Sequence, residues 1–236
     1  MVFVDGTNFL TRLSDRLSIE LNPHKPPRAA IALASRLLNW RTDVLRSYWI
    51  GSYQGDPSYE TELLGWLRQH GFQATLFRKP TRARAEKGVD MGLAVELLVN
   101  AFHRNFDIGV LVAGDEDYVR LAHEAKRYGG AALWGRFFDG EGMSPKLKLA
   151  LDHFVDLDAG LRGDALKADR ERLLAECPPR KPHRERHLGE REKTTAEVDG
   201  ALAHLEASPP EVAQAITALR ALRDRVAPPT PEDPVP

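Results

Sequence analysis

The chain has 236 residues, 42% hydrophobic and 28% charged, with a formal net charge of −1. That accommodates one sizeable soluble α/β domain plus an appendage, and a near-neutral balance gives no global field for nucleic acid or membrane, leaving only local patches. The single cysteine, Cys177, excludes an internal disulfide and a Cys-based zinc site and fits a reducing compartment.

The chain opens with "MVFVDGTN", which has no basic, apolar-cored leader, and no apolar run reaches membrane-span length. No membrane association and a cytoplasmic location are therefore expected. Val2 to Val4 predicts a buried strand ending in Asp5-Gly6-Thr7-Asn8. The next predicted element is a helix introduced by Pro26 and Pro27, with Ala30, Leu33, Ala34, Leu37 and Leu38 at helical spacing. Val44 to Ile50, β-branched and aromatic, predicts a second strand. Pro57 to Gln69 predicts a helix closed by Gly71, and Phe72 to Phe77 a third strand. A basic loop, "RKPTRARAEKG", leads into a helix over Val89 to Phe102. Ile108 to Gly114 predicts a fourth strand, followed by "GDED", a helix from Tyr118 and a stop at Gly129-Gly130. Ala131 to Trp134 predicts a further strand, Pro145 to Leu151 a helical turn or two, and His153 to Leu157 a last short strand. Strands alternating with helices predict a mostly parallel sheet with helices on both faces.

The composition changes after about residue 158. Leu161 to Glu176 predicts one amphipathic helix. The expected organisation is an α/β domain over 1–158, a connecting helix over 159–177, a polar linker over 178–193, a helical hairpin over 194–227 and a disordered tail over 228–236. The hairpin carries apolar stripes at Val198, Leu202, Leu205 and at Val212, Ile216, Leu219, Leu222, as expected of a surface that dimerises the chain or binds a protein partner.

The acids fall at strand exits and helix starts. Asp5 ends the first strand, Asp115 and Asp117 follow the fourth, and Asp90 opens the helix after the basic loop. Each has an ordinary reading as a cap or turn residue. Strands leaving one edge of a doubly wound sheet bring such residues together. Four carboxylates in one cleft require protonation or a divalent cation, and a cysteine-free oxygen set suits Mg²⁺ or Mn²⁺. Such ions activate water and stabilise a phosphodiester's leaving oxygen. Thr7 and Asn8 add a hydroxyl and an amide fit for a water or phosphate oxygen. Arg78, Lys79, Arg82, Arg84 and Lys87 form the basic loop beside Asp90; a solvated loop is the ordinary reading, and a polyanion-binding one the functional reading. Trp134, Phe137 and Phe138 read as core or pocket wall rather than base-stacking platforms.

In that order, "VFVDGTNF", "KGVDMGLAVELL", "VLVAGDEDYVRLAHEAKRYGG" and "LALDHFVDL" resemble the NYN domain family, a branch of the PIN-like nuclease superfamily, over about residues 1–158. The resemblance implies a three-layer, Rossmann-like α/β fold and metal-dependent RNA cleavage. It matches Asp5, Asp90, Asp115 and Asp117 to the family's acidic metal-binding positions, Asn8 to the polar residue after the first acid, and Asp152 to an acid before the last strand. The segment "GRFFDGEGMSPK" departs from the family by its length or aromatic content and is expected to shape the pocket. Two functional classes follow: a Mg²⁺- or Mn²⁺-dependent ribonuclease, or a non-catalytic RNA- or protein-binding adaptor on the same fold. A haloacid-dehalogenase-type phosphatase is disfavoured, because Thr7 stands where that chemistry needs a second Asp.

Overall fold

The computed structural model describes residues 1–38, 46–79 and 88–180. Val44, the loop residues Arg82, Arg84 and Lys87, and the linker, hairpin and tail predicted beyond residue 180 lie outside the described residues. Met1–Pro179 forms one compact unit.

Among the described residues six strands make one wholly parallel sheet: β1 (Val2–Asp5), β2 (Ser47–Tyr53), β3 (Phe72–Arg78), β4 (Ile108–Val112), β5 (Ala132–Phe137) and β6 (His153–Asp156). Their order is β3-β2-β1-β4-β5-β6. The first strand of the chain is therefore central, with Val2 paired to Ser47 on one side and Val110 on the other. All four of its residues are buried, which explains an unbroken apolar run instead of an alternating one. Helices α1 (Gly6–Leu17), α2 (Arg28–Leu38), α3 (Pro57–Gln69), α4 (Val89–Phe102), α5 (Tyr118–Gly129) and α6 (Pro145–Ala150) connect or cover the strands. The three-layer α/β architecture is thus the predicted one.

Several elements differ from expectation; β5 runs to Phe137 instead of ending at Trp134, since its pairing with β6 continues to Phe137 opposite Asp156, and β4 ends at Val112 instead of Gly114. Helix α1 is absent from the predicted set. It begins directly at Gly6, because Asp5 both ends β1 and caps the helix, its Oδ1 accepting the Asn8 N–H at 2.9 Å. The "DGTN" stretch resembles a turn, which hides the helix start, although Phe9, Leu10 and Leu13 are buried at helical spacing. Strand β2 runs to Tyr53 instead of ending at Ile50, since pairing with β3 continues to Tyr53 opposite Arg78. The single helix predicted over Leu161–Glu176 is divided into α7 (Asp158–Arg162), a 3-10 turn (Asp164–Leu166) and α8 (Lys167–Glu176). The break is at Gly163, whose backbone is extended with ψ 154° and whose carbonyl accepts from Arg170 at 2.7 Å. Leu161, Leu166 and Leu173 are buried, and Asp169 meets Arg36 of α2 at 2.6 Å. Pro178 and Pro179 then run beside Ile19 and Glu20, with the Glu20 N–H donating to the Pro178 carbonyl at 2.8 Å.

Helix α4 buries Val89, Leu93 and Leu97 and exposes a row of Met91, Val95, Val99 and Phe102. Among the described residues no helix is long and apolar enough to cross a membrane.

Candidate functional site

The chain winds outward from β1 to β2 and β3, then crosses back to β4 and winds the other way. The crevice between the carboxyl ends of β1 and β4 is the switch point where such sheets hold ligands. Asp5 closes β1, and Gly114 and Asp115 follow β4. A pocket of about 240 Å³ opens there, lined by Asp5, Thr7, Asn8, Thr11, Val89, Asp90 and Asp115.

Local sequence places each wall. Asn8 clips the two strand exits together, its Oδ1 accepting the Gly114 N–H at 3.1 Å. Gly114 has no room for a side chain: a Cβ there would stand 2.0 Å from the Gly142 carbonyl oxygen. Asp90 is delivered by α4, whose Gly88 and Gly92 lie against the Phe77 ring; a Cβ on either would fall within 3.0 Å of that ring. Gly88 has φ 106°, a region that L side chains rarely adopt.

Tyr118, missed by sequence reasoning, ties these walls together. Its hydroxyl is 2.8 Å from Asp5 Oδ2 and 2.9 Å from Asp90 Oδ1. The phenol has one proton to donate, so two carboxylates converge on a single oxygen. Burial, then the charges and hydrogen bonds of Asp5 and Asp90, push its pKa far above the ordinary phenol value. It stays protonated and serves as a donor. Asp5 is itself buried and uses both oxygens, one toward the Asn8 N–H and one toward Tyr118.

The sequence-derived residues divide as follows. Asp5, Asp90, Asp115, Thr7 and Asn8 come together in the pocket wall. Asp117 does not line it; exposed at the start of α5, it donates its N–H to Asp115 Oδ1 at 3.3 Å. Arg78 ends β3 and is exposed, and Lys79 follows it, half-buried. Asp152 sits at the amino ends of β5 and β6, opposite the pocket edge. Its Oδ2 accepts the Leu133 N–H at 2.7 Å and its Oδ1 meets Lys126 at 3.0 Å, so it fastens the sheet. Phe137 and Phe138 are fully buried core, and Trp134 packs edge-on against His153 at 5.0 Å. Cys177 is buried, and burial followed by Glu176 raises its thiol pKa, the opposite of an activated nucleophile.

The "GRFFDGEGMSPK" segment does shape a cleft. A second cavity of about 300 Å³, lined by Asn8, Arg12, Gly114, Asp115, Gly142 and Ser144 among others, shares Asn8 and Asp115 with the first. Arg12 lies over Gly142, whose φ of 94° and missing Cβ leave room for the guanidinium. Arg12 also pairs with Asp15 at 3.2 Å. The sequence signal for Arg12 was its position one turn after Asn8, visible only once α1 is known to be a helix.

Among the described residues no three His, Cys, Asp or Glu side chains stand close enough to form a ready-made metal cage. The acids facing the pocket nevertheless present only oxygen donors, and two of them meet at one phenolic oxygen. Mg²⁺ is commonly held by one or two carboxylates with water completing its shell, so this donor set fits such an ion.

An all-parallel, doubly wound sheet with acids gathered at its switch point defines the class. The NYN domain family model matches residues 1–158, and the chain belongs to that family. NYN domains are generally metal-dependent ribonucleases of the PIN-like superfamily. No curated protein matches the chain. Among solved structures, a protein of unknown function from Vibrio parahaemolyticus is similar at 17% identity and a TM-score of 0.51, covering 66% of this chain and 90% of that one. That likeness shows the fold alone. A probable N-succinyldiaminopimelate aminotransferase from Thermus thermophilus aligns at 17% identity over 73% of this chain and 54% of that one, with a TM-score of 0.19 that carries no argument.

Proposed function

We propose that this chain is a metal-dependent ribonuclease that hydrolyses RNA phosphodiester bonds. The observation that carries the reading is the meeting of Asp5 and Asp90 at Tyr118, with Asp115 in the same pocket wall. Two carboxylates drawn to one buried oxygen repel each other unless a proton or a cation offsets their charge, and a divalent cation meets that need. Asp5, Asp90 and Asp115 would hold Mg²⁺ or Mn²⁺, and Asp117 adds a fourth negative charge outside the pocket wall. The chemistry such an ion supplies is a lowered pKa for the attacking water and neutralisation of charge on the leaving oxygen.

The protein's own groups provide the setting. Asn8 fixes the β1 and β4 exits relative to one another, Tyr118 orients two of the acids, and Thr7, in the same pocket wall, accepts the Ser52 N–H at 3.0 Å through its hydroxyl. Arg78 and Lys79, with Arg82, Arg84 and Lys87 further along, supply cations for the RNA backbone. RNA is the proposed partner.

The test is cleavage of labelled single-stranded RNA by the full chain with Mg²⁺, with Mn²⁺ and with EDTA, beside Asp115→Asn. Expected are cleavage that EDTA abolishes and a loss in the variant beyond the roughly 100-fold typical of an outer-shell substitution, with RNA binding retained. Binding without cleavage under either metal, unchanged in Asp115→Asn, would transfer the fold to the adaptor reading.

A further inference from the structure

A second polar cluster flanks the acid pocket on its β2/β3 side and reaches it through Thr7, which lines the pocket wall. Lys79 Nζ lies 2.9 Å from His24 Nε2, His24 Nδ1 lies 2.6 Å from Ser52 Oγ, and Ser52 Oγ lies 3.4 Å from Thr7 Oγ1. The Ser52 N–H also donates to Thr7 Oγ1 at 3.0 Å. Backbone bonds hold Lys79 and His24 to the end of β2 and the residue after it: the Lys79 N–H donates to the Tyr53 carbonyl at 2.8 Å, and the Gln54 N–H to the His24 carbonyl at 2.7 Å.

With Lys79 as an ammonium donor, the line has one self-consistent orientation. An ammonium only donates, so His24 Nε2 accepts. A neutral imidazole then carries its proton on Nδ1 and donates it to Ser52, leaving the Ser52 hydroxyl to donate to Thr7. The line thus runs from a cation at the strand end to a hydroxyl in the acid-pocket wall, with donors oriented toward the pocket throughout.

Lys79 is half-buried, and among the described residues it forms no ion pair; its hydrogen-bond partner is the uncharged His24. Glu60, an acid on neighbouring α3, is engaged by the Tyr53 hydroxyl. A partly desolvated ammonium held in place against a neutral ring is stabilised by an incoming anion. We propose that Lys79 and His24 form a phosphate subsite for the RNA backbone beside the acid pocket, and that His24 couples this subsite to Thr7 through Ser52. The inference rests on the ribonuclease reading for the identity of the polyanion. Lys79 is the contact, and His24 is a positioning residue that holds the ammonium and sets the donor direction.

The experiment measures binding of a fluorescent single-stranded RNA to the full chain in EDTA over a range of salt, then cleavage with Mn²⁺. The set is wild type, Lys79→Met, Lys79→Arg, His24→Ala and His24→Gln, with Asp115→Asn as the catalytic control. Lys79→Met is expected to weaken binding several-fold and to reduce the salt slope by about 0.7, one single-strand phosphate contact. Its KM rises while kcat stays within about twofold, the pattern of lost uniform binding. Lys79→Arg binds like wild type. His24→Ala weakens binding and lowers kcat, and His24→Gln, which can accept and donate, restores part of both. Equal binding and equal salt slopes for wild type and Lys79→Met overturn the subsite, as does a Lys79→Arg as weak as Lys79→Met. In either case the ribonuclease reading stands if Asp115→Asn still abolishes cleavage. Failure of the wild type to bind RNA overturns both.

Discussion

Tyr118 shows how one residue changes the reading of a motif. In "GDEDY" the two acids draw notice, and the aromatic at the first position of α5 passes as ordinary core. Its ring is indeed buried, but its hydroxyl joins Asp5 to Asp90 across long stretches of sequence. Tyr118→Phe keeps the packing and removes only that oxygen. We expect it to reduce metal affinity or cleavage by about 10- to 100-fold, the usual cost of losing an outer-shell partner, read as the Mn²⁺ dependence of cleavage. Asp152 illustrates the opposite outcome, an acid of the family pattern that serves structure. Burial alone would raise its pKa, but the Leu133 N–H and Lys126 together outweigh burial and hold it below the ordinary carboxylate value. A depressed folded pKa contributes stability above the unfolded value, about 3.9, and that contribution is lost as pH falls through the folded pKa. Melting temperature against pH should therefore fall less steeply on the acid side in Asp152→Asn than in the wild type.

At the scale of elements, glycines decide where the acids sit. The "KGVDMG" stretch reads in sequence as a basic loop meeting a helix. In the structure Gly88 and Gly92 flank Asp90 and let α4 settle on Phe77, with a Cβ at Gly92 falling 2.9 Å from the ring and 3.1 Å from Ile50 Cγ2. Gly92→Ala should cost about 1–3 kcal/mol, as overpacking does. It should also displace Asp90, so that cleavage falls further than thermal stability explains; denaturant unfolding and initial rates on the same preparation separate the two. Gly6 acts similarly at the first acid, where a Cβ would stand 2.2 Å from the Trp49 ring. Neither requirement is legible in one sequence, because each depends on an aromatic side chain from another strand. The missed helix α1 has the same origin: a cap that is also the last residue of a strand looks like a turn until the strand's neighbours are known.

For the whole molecule, the closing helices determine where the chain can be cut. Residues 158–177 place Leu161, Leu166, Leu173 and Cys177 among the buried set, and Pro178 and Pro179 lie along Ile19 and Glu20. A chain ended after Arg180 should keep the melting temperature and cleavage of the compact unit, whereas one ended after residue 158 should lose several degrees or fail to fold. Leucines buried as fully as Leu173 typically contribute about 2–5 kcal/mol each, and thermal unfolding monitored by circular dichroism reads the difference.

The sequence by itself determined the alternation of strands and helices, the parallel class, the family, and three acids of the pocket. Those features are written in short-range patterns: apolar runs bounded by turn residues, caps and strand-exit motifs. The tertiary structure decided that β1 is central, that Asp152 belongs to the opposite edge, that Asp117 stays outside the pocket wall, that Tyr118 joins two of the acids, that Arg12 lines the neighbouring cavity, and that His24 and Ser52 reach Thr7 of the pocket wall. Each of these depends on which strand lies beside which, and strand order is set by how separate segments bury one another, not by the residues next to them in the chain.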